Sequence, residues 1–360
     1  MAAKTPEQIL EETRDYYGKE LKGTSDLKTS ACTLADRPEL HIARAISRVH
    51  DEVASKFYGC GLIAPDVLEG LKVLDLGSGS GRDVYVLSQL VGESGRVIGV
   101  DMTRQQLEVA SKWKDWHREQ FGHSQSNVEF IEGVLENVCS IDAMVPHIGT
   151  FDLIVSNCVL NLCTDKEAVL RNVFSLLKPG GELYFSDVYA DRRVPLSLQN
   201  DSVLYGECLS GALYWNDFLS MARRAGFADP RLVTSRPMAV NNRKLVELLG
   251  PIRFYSATYR LFRLESLEPS CEQYGQAVRY RGTIPFRPHE FSLDDHHVFP
   301  TGRIIPVCGN SSAMLQLTRF APHFDFFGDR SQHFGIDASC GVKVPFAQVS
   351  ADAPAPAGCC

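Results

Sequence analysis

The chain predicts an α/β fold built on an open, doubly wound sheet, with a helical segment before it and a smaller α+β unit after it. Three observations carry this expectation. From Lys72 to about Phe227, short β-branched runs alternate with helical apolar patterns, as a parallel sheet covered by helices requires. A glycine-rich turn, Gly77-Ser78-Gly79-Ser80-Gly81, joins the first of these runs to the first helix. Beyond about Val240 the pattern shifts toward alternation, broken by Pro, Gly and Asp clusters.

At the N-terminus, Thr5-Pro6-Glu7-Gln8 supplies an N-cap, a proline at the first helical position and a capping-box Gln, so a helix should run to about Leu21. A polar stretch from Gly23 to Asp36 carries Cys32, and a second helical pattern through Ile42, Ala45, Ile46, Val49 and Val53 leads to Gly59-Cys60-Gly61. The core unit then reads strand 72–76, helix Arg82 to Val91, strand 96–101 and helix Thr103 to Phe121. Strands follow in NVEFIEG, FDLIVSNCVL and ELYFSDVYA, with a helix from Asp165 to Leu177 stopped by Lys178-Pro179-Gly180-Gly181. A helix from Trp215 to Ala225 and a strand from Arg231 to Thr234 close the unit. FYSATYRLFRL, QAVRYRGTI and GRIIPV are read as strands of the C-terminal unit. The expected segments are therefore residues 1–60, 61–235 and 236–349, followed by an Ala/Pro/Gly tail at 350–360 that lacks core-forming residues.

At 360 residues, 44% hydrophobic and 22% charged, the chain can bury one substantial core and a second smaller one. Its net charge of −7 offers no general attraction to phosphate backbones, so nucleic acid is not an expected partner. No apolar run approaches the eighteen or so residues that span a bilayer, and the first residues are polar and acidic rather than signal-like. A cytoplasmic protein without membrane contact is expected. Eleven scattered cysteines with no CxxC pair indicate reduced thiols, not a disulfide scaffold or a zinc module.

A glycine-rich strand-to-helix turn alone could be a plain loop, but the next strand ends in Val100-Asp101. An acidic side chain there can accept both hydroxyls of a ribose. A nicotinamide enzyme would want a further glycine at position 82, which is Arg82. The strand ending in Asn157 lies where doubly wound sheets hold their reactants, and the next residue is Cys158. Free cysteine is often only a small buried hydrophobe, so this thiol alone decides nothing.

The run DLGSGSG, with Asp75 before the loop, and the later LLKPGGELYFSD resemble the Rossmann-like class I methyltransferases that use S-adenosylmethionine. That resemblance implies that Gly77, Ser78 and Gly79 contact the methionine portion, Asp101 and Met102 the ribose and adenine edge, and Leu135 and Glu136 the adenine. Tyr58, Gln106 and Asn157 complete the implied cofactor site. The segments around Cys32, Cys60, Cys158 and Cys208, together with DLGSGSGRDVY, GVDMT and SNCVLNL, are similar to the arsenite methyltransferase family over most of the chain.

Trivalent arsenic is soft and binds thiolates in a three-coordinate pyramid. The resemblance implies that Cys60, Cys158 and Cys208 form that pyramid, leaving the arsenic lone pair to attack the methyl group. It also implies a Cys32–Cys60 disulfide formed during turnover and reopened by thioredoxin or glutathione. Arsenite and methylated trivalent arsenicals are the implied substrates. Two other readings remain: a methyltransferase for a small organic acceptor with inert cysteines, and an arsenic-binding protein that does not turn over. Cys163 is expected to be structural, while Cys139, Cys271, Cys308 and Cys340 have no motif around them, and Cys359-Cys360 could scavenge arsenite. His289, His296, His297, His323 and His333 match no metal spacing and are expected on the surface.

Overall fold

The computed structural model describes residues 4–21, 38–59, 63–240 and 242–337. Cys32, Cys60, Cys340 and the 350–360 tail lie outside the described residues.

Helix α1 (Pro6–Asp15) has the expected cap: Thr5 Oγ1 accepts from the Gln8 amide while the Gln8 side chain accepts from the Thr5 amide. It widens into a π-turn over Tyr16–Glu20. The wider turn places both tyrosines against one surface, with the Tyr16 hydroxyl donating to Glu207 Oε1 at 3.0 Å and the Tyr17 hydroxyl to the Gly206 carbonyl at 2.7 Å. Two short helices follow, α2 (Leu40–Ser47) and α3 (Asp51–Ala54).

The core unit runs β1 (Lys72–Leu76), α4 (Arg82–Val91), β2 (Arg96–Asp101), α5 (Arg104–Lys112), α6 (Lys114–Phe121), β3 (Val128–Glu132), β4 (Phe151–Asn157), α7 (Lys166–Leu176) and β5 (Leu177–Ala190). The single helix expected over 103–121 is divided at Trp113, whose backbone leaves the helical region. There the indole donates to Glu52 Oε2 at 2.9 Å and stacks on His50, so tertiary contacts override the local helical pattern. The turn expected at Lys178–Gly181 is a bulge at the start of β5: Phe151 pairs with Leu177 and Leu153 with Glu182, leaving the four residues between them unmatched.

After α8 (Ser202–Gly206), β6 (Leu213–Tyr214), α9 (Trp215–Arg224), β7 (Arg231–Met238) and α10 (Arg243–Leu249) comes β8 (Phe254–Phe262). The main sheet has the order β3-β2-β1-β4-β5-β8-β7, with β6 paired to β5. Strands β1 to β5 are parallel, and β8 is antiparallel to both β5 and β7. This corrects two expectations. The segment FYSATYRLFRL belongs to the main sheet, not to the C-terminal unit, and a boundary at 235/236 would cut through β7. Ser256, Thr258 and Arg260 made the segment look half-exposed, yet all three are buried and pair within the sheet layer. Ser186 and Thr258 share a hydroxyl hydrogen bond of 2.5 Å, and Arg260 Nε donates to Glu182 Oε1 at 2.7 Å.

The C-terminal unit contains β9 (Gln276–Tyr280), β10 (Glu290–Ser292), β11 (Val298–Pro300), β12 (Ile304–Val307), α11 (Gly309–Gln316) and β13 (Phe324–Phe327). Its antiparallel sheet, β12-β9-β13, buries an aromatic core that includes Tyr280, Phe291, Phe299, Phe320 and Phe324. Phe262 at the end of β8 joins that core, so one strand serves both units. Arg319 clamps the junction, pairing with Glu182 at 2.5 Å and donating from Nε to the Asp66 carbonyl at 3.1 Å.

Candidate active site

The glycine loop leaves β1 between the ends of β2 and β4. Gly77 and Ser78 both donate their amides to the Val100 carbonyl, at 2.7 and 3.1 Å, and Gly81 donates to the Ser78 carbonyl at 2.9 Å. Gly79 donates to Asp101 Oδ2 at 2.8 Å. A Cβ on Gly77 would stand 2.4 Å from Val159 Cγ2 at a φ of +74°, so only glycine fits this turn. Gly79, at φ +51°, faces open space instead, which lets a ligand approach the backbone.

An open cleft lies over this loop. Its walls include every residue that the family resemblance implied for the cofactor: Tyr58, Asp75, Gly77, Ser78, Gly79, Asp101, Met102, Gln106, Leu135, Glu136 and Asn157. Cys158 lines the cleft as well. Asp101 accepts from the amides of Gly79 and Thr103, while burial raises its pKa above the ordinary value against those bonds. Asp75 is pushed much further up, first by burial and then by the neighbouring Asp83 and Asp101 carboxylates.

These details discriminate between ligands. A pyrophosphate would need free backbone amides and would meet the acidic side chains of Asp83, Asp101 and Glu136. The loop amides named above are already committed to protein acceptors, and the acidic walls suit a cation. S-adenosylmethionine carries a sulfonium and an ammonium group, so the donor set fits it. Ser78 Oγ and Gln106 Oε1, both buried in the cleft wall without a hydrogen-bond partner, remain to be satisfied by a ligand.

Several site residues were not foreseen from the sequence. Leu10, Thr13 and Tyr17 of the N-terminal helix reach the cleft, and Gln106 Nε2 donates to the Tyr17 carbonyl at 2.9 Å. Their spacing of three and four residues marks one helical face and could have revealed them. Asp83, in the first turn of α4, accepts from Asn157 Nδ2 at 3.1 Å and from Arg82 Nε at 2.8 Å. The Arg82 guanidinium in turn lies 3.2 Å over the Phe57 ring. Cys163, expected to be structural, is a cleft-wall thiol whose pKa burial pushes far up, and it donates to the Val159 carbonyl at 3.5 Å.

The cysteines behave unlike ordinary core fillers. Cys158 and Cys208 have φ of +58° and +61°, a left-handed conformation that residues with a Cβ rarely adopt. The Cys208 thiol is fully buried behind Cys158 and donates to the Cys158 carbonyl at 3.3 Å. Cys158 is disulfide-bonded. The predicted ligand Cys60 and the predicted disulfide partner Cys32 lie outside the described residues. Among the described residues, no group of three or more His, Cys, Asp or Glu side chains is placed to hold a metal ion, and no helix is long and apolar enough to cross a membrane.

Comparison with known proteins agrees with this geometry. Residues 68–226 match the family model of a methyltransferase domain, and residues 273–353 match that of the arsenite methyltransferase C-terminal domain. Fold and cleft together define a class I methyltransferase that uses S-adenosylmethionine. An arsenite methyltransferase of Aquipseudomonas alcaligenes is 57% identical over 350 residues, covering 97% of this chain and 99% of that relative. The human arsenite methyltransferase is 45% identical over 327 residues, covering 90% and 85%. The crystal structure of an arsenic(III) S-adenosylmethionine methyltransferase from Chlamydomonas reinhardtii superposes with a TM-score of 0.80 at 46% identity, covering 84% of this chain and all of that one. The chain belongs to the arsenite methyltransferase family.

Proposed function

We propose that this chain methylates trivalent arsenic held by cysteine thiolates at the floor of the cleft, taking arsenite to mono- and dimethylated products. The observation that carries the reading is the pair Cys158 and Cys208, both in left-handed backbone conformation and joined by a hydrogen bond next to the cofactor loop. Backbone strain of this kind costs of order 1–3 kcal/mol per residue and is concentrated at functional sites. S-adenosylmethionine supplies an electrophilic methyl group. Asp101 and Gln106 hold its ribose end, Ser78, Gly79 and Asp75 its methionine end, and Leu135 with Glu136 its adenine. Leu10 and Thr13 of α1 and Tyr17 of the π-turn form one wall of the cleft.

Thiolate ligation by Cys60, Cys158 and Cys208 fixes the arsenic so that its lone pair faces the methyl group, and proximity supplies much of the acceleration. No base is required, because the arsenic carries no proton to remove. Methyl transfer leaves arsenic formally pentavalent. Two thiolates that join as a disulfide return the two electrons, and exchange with thioredoxin or glutathione restores the thiols. The family resemblance assigns this step to the Cys32–Cys60 pair, and the Cys158 disulfide must itself be reduced before Cys158 can bind arsenic. The test is transfer of labelled methyl from S-adenosylmethionine to arsenite with excess thiol. Arsenic-dependent turnover is expected. Retention of arsenite without methylation, or methylation of an organic acceptor alone, would overturn the proposal.

Asp101→Ala is expected to weaken S-adenosylmethionine binding by about 1.5–3 kcal/mol, the usual cost of losing a hydrogen bond to a charged group. Part of that loss comes from the loop, since Asp101 also anchors the Gly79 amide. Calorimetric titration reads the cofactor affinity, and arsenite binding to the same variant should be unchanged. An unaltered cofactor affinity would remove Asp101 from the ribose site.

A further inference from the structure

A second pair of thiols lies in the C-terminal unit, and none of the residues around it lines the cofactor cleft. Cys271 Sγ and Cys308 Sγ stand 3.9 and 3.8 Å from the same nitrogen, Nη2 of the buried Arg231. Neither cysteine is in a disulfide. Arg231 also donates to Asp229 Oδ2 at 2.9 Å and to Asp294 Oδ2 at 3.0 Å, and lies 3.3 Å from His297 Nδ1. Cys308 caps α11, with its sulfur accepting from the Ser311 amide at 3.4 Å and lying 3.3 Å from the Ser311 hydroxyl.

These surroundings favour a thiolate. The Cys308 pKa is pulled down, first by the neighbouring Cys271 thiol and then, against the effect of burial, by the Ser311 hydroxyl and amide and by the Arg231 charge. The buried Cys163, without a guanidinium beside it among the described residues, is pushed the other way. Cys308 is nearly inaccessible while Cys271 is half-exposed, so a thiophilic ligand meets Cys271 first and passes inward.

We propose that Cys271 and Cys308 form a dithiol site, separate from the catalytic cleft, for a mono-organo trivalent arsenical. Two sulfurs gathered on one guanidinium nitrogen match a ligand with one As–C bond and two exchangeable oxygens. Two As–S bonds form and two As–O bonds break. The Cys271 proton and one proton from solvent leave with the two oxygens as water, and no redox change occurs. The physiological ligand would be the monomethylated trivalent product, and to that extent the site rests on the proposed function.

The test uses the full-length reduced protein and phenylarsine oxide, with bound arsenic measured per chain after desalting and cysteines mapped by iodoacetamide and mass spectrometry. The wild type should retain one more arsenic per chain than Cys271→Ser or Cys308→Ser, and the arsenical should shield both cysteines together from alkylation. Serine at 308 can still cap α11, so that variant should fold. Both variants should methylate arsenite at the wild-type rate. Equal arsenic retention in wild type and variants, or alkylation of either thiol unchanged by the arsenical, would overturn the site. Loss of arsenite methylation in both variants would place these thiols in the catalytic cycle and overturn their separateness. Failure of the wild type itself to methylate arsenite would instead count against the proposed function, and the phenylarsine oxide readout would stand independently.

Discussion

Cys158→Ser and Cys208→Ser are each expected to abolish methylation of both arsenite and its trivalent monomethyl derivative. The argument is a count of ligands. Arsenite offers three exchangeable positions and can take three thiolates, whereas the monomethyl species has one position closed by carbon and takes two. Cys158 lies at the cleft and Cys208 directly behind it, so these two serve both substrates. Cys32→Ser and Cys60→Ser should abolish the arsenite step and spare the monomethyl substrate. Loss of a direct ligand should exceed the 10–100-fold typical of losing a supporting residue around a metal site, so a fall of more than about 100-fold is expected. Serine is well suited to the test, because at 208 its hydroxyl can keep the hydrogen bond to the Cys158 carbonyl. Unchanged S-adenosylmethionine affinity would verify that each variant is folded. Separate turnover of the two substrates by all four variants checks the count. Equal loss on both substrates in Cys60→Ser would reject the counting argument, and full activity in Cys158→Ser would reject the site.

Glu182→Ala is expected to destabilise the fold by about 3–5 kcal/mol, the usual result of breaking a buried ion pair from one side. Glu182 has no exposed surface, and its removal strands two guanidinium groups, Arg260 from β8 and Arg319 from the C-terminal unit. Its replacement by Gln, which keeps the shape and one acceptor, should cost less. The urea midpoint, followed both by far-ultraviolet circular dichroism and by cofactor binding, reads the effect. Because Arg319 also holds the Asp66 carbonyl, the C-terminal unit and the core should lose stability together. Separate transitions, with cofactor binding unaffected, would show that the clamp does not couple them.

Much of the fold was legible because its signals act over a few residues. The capping box at Thr5, the bounds of β1, α4 and β2, and the glycine loop followed by Asp101 all depend on local backbone chemistry and periodic burial. The residues that line the cleft were named through the family resemblance, and they meet because the ends of adjacent parallel strands share one edge of the sheet.

What tertiary structure decided involves groups far apart in sequence. The place of β8 between β5 and β7 was not readable, because its Ser, Thr and Arg side chains look like a solvent face until Ser186 and Glu182 are brought opposite them. The spacing of Leu10, Thr13 and Tyr17 marked a helical face but not what it would meet, which was decided when the π-turn set Tyr16 and Tyr17 on the segment around Gly206. Cys271 and Cys308 carried no motif, since what distinguishes them is a guanidinium from β7 and a helix N-terminus converging on two sulfurs. By itself the sequence determined the sheet, the cofactor loop and the cysteines to watch. Only the folded chain decided which buried polar groups meet, because a polar residue can be buried only when its partner arrives, and that partner lies dozens of residues away.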